Sequence, residues 1–104
     1  MYLTMNRFKV VQGREADFEF VWQSRDSHLT KVDGFIAFHL MKGPVEDGYT
    51  LYASHTAWTS EDHFKAWTTS EAFRAAHKGA GGHSDLYLEA PKLEIFETVQ
   101  KIEV

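Results

Sequence analysis

The segment Gly34 to Met41, read GFIAFHLM, puts apolar side chains on both sides of an extended chain, through Phe35, Ile36, Ala37, Phe38, Leu40 and Met41. Successive strand residues point to opposite faces of a sheet, so such a strand is apolar above and below. A sheet with helices on one side only would leave half of that surface in water. The second face therefore needs a partner, and a homodimer would provide it.

The flanking sequence supplies the rest of the sheet. Leu3 to Val11 alternates as a strand, Glu15 to Leu29 has helical spacing, and Gly34 to Met41 is the second strand. Pro44 to Gly48 reads as a turn and Tyr49 to Trp58 as a third strand. Ser60 caps a short helix, Ser70 caps another from Glu71 to Lys78 that Gly79 closes, and Leu93 to Val99 is the last strand. The order βαββαβ, with its second helix split, is the ferredoxin-like α+β pattern: an antiparallel sheet with helices on one face. A length of 104 residues with 43% apolar content suits one domain over residues 1–104.

Composition removes several classes of function. Eleven basic residues against fifteen acidic ones give a net charge of -4, with no basic run to follow a phosphate backbone, so nucleic acid is not an expected partner. Cysteine is absent, which excludes iron-sulfur clusters and thiolate ligation and leaves His, carboxylate, Tyr or Met to hold a metal. MYLTMNRFKV lacks the pattern of a secretory leader, and no eighteen-residue apolar run occurs; no membrane partner and a cytoplasmic location are the expectations.

The run from Phe64 to Gly79, FKAWTTSEAFRAAHKG, is the candidate site. Phe73 and His77 are four apart and share a helical face, and Ala75, Ala76 and Ala80 leave little bulk around the imidazole, so a flat ligand has room. The plainer reading is a histidine favoured in its protonated form by a helix C-terminus. On the first strand Asn6, Phe8 and Val10 point one way, toward the helices, which sets Asn6 at the rim where Trp67 and His77 also project; alternatively Asn6 merely caps an edge. On the first helix Phe18, Trp22, Arg25 and Leu29 follow one stripe, and Arg25 breaks it with a charge that wants an acidic partner. Most of His28, His39, His55, His63 and His83 read as solvent-exposed and none as a ligand, although the Gly-rich loop from Gly79 to Pro91 around His83 suits a lid.

Asn6-Arg7-Phe8 on the first strand, then Trp67, Phe73, Ala75, Ala76 and His77, resemble the IsdG-type haem-degrading monooxygenases of the antibiotic biosynthesis monooxygenase superfamily. The resemblance runs from about Leu3 to Val99 and is most specific from Phe64 through His77. It implies a haem-site triad of Asn6, Trp67 and His77. His77 would bind the iron, Asn6 would supply a distal hydrogen-bond donor, and Trp67 would ruffle the macrocycle. Phe73 and Trp22 would form apolar wall, with Arg25 near the haem propionates or in the outer distal shell; the other reading of Arg25 lets its head snorkel to solvent. Haem would be substrate as well as cofactor, opened with O2 and an external electron donor to a linear tetrapyrrole with loss of iron. The resemblance also implies a dimer in which two sheets meet as an α+β barrel. Two alternatives stand beside it: a cofactor-independent relative oxidising an aromatic small molecule, and a haem carrier without catalysis.

Overall fold

Alternation of side chains decides where each strand lies. The computed structural model describes residues 1–25, 29–71, 73 and 85–104. Along them run β1 (Tyr2–Val11), α1 (Glu15–Ser24), a 3-10 turn (Leu29–Lys31), β2 (Phe35–Glu46), β3 (Tyr49–Trp58), α2 (Glu61–Thr68) and β4 (Lys92–Glu97). The strands pair antiparallel in the order β2-β3-β1-β4, the ferredoxin-like α+β arrangement expected from the pattern.

Two boundaries differ most from the sequence reading, while β4 ends at Glu97, short of the expected Val99. Helical spacing extends to Leu29, but α1 stops at Ser24. Arg25 is extended, with ψ of 129°, and its N–H closes the last turn on the Trp22 carbonyl at 3.3 Å. The sequence that follows, Asp26-Ser27, has poor helix propensity because such side chains compete for backbone hydrogen bonds. The Phe18, Trp22, Arg25, Leu29 stripe is thus split between a helix, its cap and a separate 3-10 turn. Secondly, β2 continues through Pro44 to Glu46, and the reversal is made by Asp47 and Gly48, the latter at φ 85°. Proline is tolerated because β2 is an edge strand whose register slips between Lys42 and Val45.

The helix-covered face takes the even-numbered residues of β1 and β3. At one end Phe8, Val10, Phe18, Tyr52 and Leu86 form a closed cluster. At the other Tyr2, Trp58 and Trp67 form a second, with Phe35, Phe64 and Phe73 against it. A bulge between Phe35 and Ala37 lets both Phe35 and Phe38 face this side, opposite Trp58 and Thr56. The opposite sheet face carries no helix among the described residues, and there Met41 and Phe96 are exposed.

Ser60 caps α2 by accepting the His63 N–H at 3.3 Å, while the His63 ring meets the Ser60 hydroxyl through Nδ1 at 2.7 Å. This histidine is tied to the cap instead of free in solvent. Gly34, at φ 82°, lies directly under it: a Cβ there would fall 2.2 Å from His63 Cγ. Thr59 fastens the same place, donating its N–H to the Gly34 carbonyl at 2.8 Å.

Candidate active site

Between the sheet and the helices lies a cavity of about 960 Å³, large among ligand sites. Its walls are aromatic. Trp67, on the inward face of α2, packs at 6.2 Å from Trp58 and meets Phe73 edge-on at 5.4 Å. Across the cavity Trp22 stacks on Phe38 with 17° between the ring planes. Tyr87 lies stacked against Phe8 at 5.8 Å. Flat rings at fixed separations offer a slot for a planar, apolar ligand.

Polar groups enter from the floor and from one wall. Thr4, Asn6, Ser54 and Thr56 rise from the two central strands. Arg25, thrown out of the helix by its extended backbone, lies over the Trp22 ring with its Cζ 4.4 Å from the ring centroid. No carboxylate pairs with it among the described residues, so the expected acidic partner gives way to an indole face. The Trp22 indole N–H is buried without a hydrogen-bond partner among those residues, although it lies near the Tyr87 hydroxyl. Burial pushes the Tyr87 phenol up, while the positive charge of Arg25 and the Trp22 N–H work in the opposite direction. One wall thus gathers a cation, an indole donor and a neutral phenol.

Asn6, Trp22, Arg25, Trp67 and Phe73 all line this cavity. Asn6 does so from a different place than expected: β1 is an internal strand, so its carboxamide rises from the middle of the floor and neither sits at a rim nor caps an edge. His77, the expected metal ligand, lies outside the described residues, as do His28 and His83. Ser70, meanwhile, accepts the Phe73 N–H at 3.1 Å, the cap geometry expected of it. Of the proposed lid only residues 85–91 are described, and they act as packing. Leu86 is in the core, Tyr87 bridges to Val10, and the Leu88 N–H reaches the Lys9 carbonyl at 2.9 Å.

Ser54, Thr56 and Tyr87 also line the cavity and were not expected from the sequence. Strand parity would have found the first two, since both share the inward parity of Tyr52 and Trp58. Tyr87 had no such signal, because it stands in an isolated bridge.

A family model described as antibiotic biosynthesis monooxygenase matches residues 1–79. A staphylobilin-producing heme oxygenase of Staphylococcus saprophyticus is 30% identical over 79 residues, which span 76% of this chain and 75% of that protein. In three dimensions the chain resembles the heme-degrader MhuD of Mycobacterium tuberculosis, determined with two hemes bound in its active site. That match has a TM-score of 0.72, with 23% identity over 99% of this chain and 100% of the other. It likewise resembles SnoaB, a cofactor-independent oxygenase of Streptomyces nogalater, with a TM-score of 0.69 and 23% identity over 97% and 95% of the two chains.

Proposed function

The chain belongs to the antibiotic biosynthesis monooxygenase family, and from that premise we propose that it is a haem-degrading monooxygenase: it binds haem and opens the porphyrin ring with O2 and electrons from an external donor, releasing iron and a linear tetrapyrrole. The observation that carries this reading is the convergence of Asn6, Trp22, Arg25, Trp67 and Phe73 on one aromatic cavity of about 960 Å³. The donor set fits a tetrapyrrole. Flat walls suit the macrocycle, Arg25 suits its carboxylates, and Asn6 offers a donor to the face where reaction occurs. The similarity to a staphylobilin-producing heme oxygenase supports the same substrate.

Bound haem supplies the redox-active iron and the carbon to be oxidised. The chain's own residues do the rest. His77 is the proposed iron ligand. Asn6 directs an N–H from the floor toward the reacting face, in an apolar surround where such a bond is stronger than in water. Trp67 presses on the macrocycle, and its own position is fixed by Trp58 behind it and Phe73 edge-on. Trp22 and Phe38 close the far wall against water. A second copy of the chain is proposed to cover the open sheet face, where Met41 is 40% and Phe96 46% exposed.

The test is to add about one equivalent of hemin, record the Soret band, then supply ascorbate in air with catalase present. Binding followed by loss of the band and growth of a bilin-like product is the expected result. A band that persists would mean a carrier. Absence of any band would remove haem and favour oxidation of an aromatic small molecule without a cofactor, the chemistry named for SnoaB. Light scattering at working concentration checks the dimer, which a monomer mass would overturn.

A further inference from the structure

The cavity floor inverts the usual distribution of polarity across a covered sheet. On the two central strands Thr4 stands opposite Thr56 and Asn6 opposite Ser54. The same two rows end at the sheet margins in Phe38 and Leu40 on β2, and in Ile95 and Leu93 on β4. Polar side chains occupy the middle and apolar ones the edges, the reverse of what burial alone favours. Opposed side chains on paired strands lie about 5 Å apart, and same-face neighbours along a strand about 7 Å apart, so the four make one compact patch.

Thr4 is engaged, since its hydroxyl accepts the Trp58 indole N–H at 3.4 Å. Ser54 is only 3% exposed, yet neither it, Asn6 nor Thr56 has a side-chain hydrogen bond among the described residues. The direction open to these polar side chains is the cavity they line, where a water or a ligand group can meet them.

We propose that Ser54 is a positioning residue for the reaction: with Thr56 and Thr4, its hydroxyl holds one water that bridges to the Asn6 carboxamide beneath the substrate's reacting face. A serine hydroxyl both donates and accepts, so one placed opposite a carboxamide selects which end of the amide faces the cavity. The surrounding hydroxyls give a water the several partners it needs to stay ordered. The inference rests on the haem reading above, and it assigns Ser54 no bond-making step.

Hemin is titrated into the wild-type protein, Ser54→Ala, Ser54→Thr, Asn6→Ala and the Ser54→Ala/Asn6→Ala double variant. Each hemin complex is then titrated with fluoride, an anion that binds ferric iron and accepts hydrogen bonds. Ser54→Ala should keep hemin affinity within about threefold and weaken fluoride about tenfold, the loss of one hydrogen bond. Its fluoride charge-transfer band should shift, and Ser54→Thr should restore both the band and the affinity. The double variant should bind fluoride no more weakly than Asn6→Ala, because Ser54 acts through Asn6. Unchanged fluoride affinity and band in a Ser54→Ala protein that binds hemin normally would overturn this inference and leave the haem reading standing. Failure of the wild-type protein to bind hemin would overturn both.

Discussion

The two halves of the helix-covered sheet face are built on opposite principles. In one, Val10 and Phe18 are fully buried and Tyr52 nearly so, with Leu86 closing the cluster from beyond the cavity. In the other, Thr4, Asn6, Ser54 and Thr56 on the same strands lie under an open volume of about 960 Å³, and the smaller Tyr2, Trp58 and Trp67 cluster closes only the far end. Close packing stabilises; a hollow with a polar floor forgoes those contacts. The closed half therefore holds the fold, while the open half is free to be shaped for a ligand.

The largest test of that division is Phe18→Ala, which should cost about 3–5 kcal/mol as a cavity opens in the closed half. Thr56→Val, isosteric and on the open floor, should change stability by less than about 1 kcal/mol. Thermal melts of the two variants giving equal losses would break the comparison. Next in size, His77→Ala should cut ring opening by about a hundredfold or more, with hemin affinity falling by only about tenfold, since apolar walls carry much of the binding. Equal losses in both quantities would put the binding energy on the iron bond instead.

Two pH experiments sharpen the closed half. Tyr52 donates its hydroxyl to Glu19, and burial first, then that carboxylate, pushes its phenol well above the ordinary value of 10.0. The raised value means that its contribution is fully present below pH 10.0 and is lost as pH climbs through the folded value. Tyr52→Phe should flatten the alkaline fall in unfolding free energy; an unchanged alkaline limb would contradict this. The smallest effect belongs to Glu15, held below its ordinary 4.5 by its own backbone N–H, the Thr50 hydroxyl and the Gly13 N–H. Its contribution is present above pH 4.5 and lost as pH falls through the depressed value, so Glu15→Gln should blunt the acid limb slightly in chemical denaturation.

The sheet was legible because alternation is local: Tyr49–Trp58 reads as a strand from its own side chains, and each inward residue follows by parity. The end of α1 was not, because the apolar stripe persists past Ser24 and backbone competition from short polar side chains leaves no periodic trace. Asn6, Trp67 and Phe73 could be named by resemblance, but the central place of Asn6 depends on strand order, which joins residues far apart in sequence. Ser54 shows the limit most clearly. A polar residue of inward parity looks like a packing compromise until its neighbours Asn6 and Leu40 and the cavity above are known.

Gly34 lies immediately before β2, against the first turn of α2 and outside the lining of the cavity. With a hydrogen in place of a methyl, the His63 end of α2 settles directly onto the start of β2. Since Trp67 lies one turn further along the same helix, the seating of that end sets how far the indole stands from the floor. Any side chain at position 34 would act as a shim, pushing aside His63 or the turn of helix that carries it. The place of the indole over the floor thus leans on a position outside the cavity lining, one with no side chain to contribute.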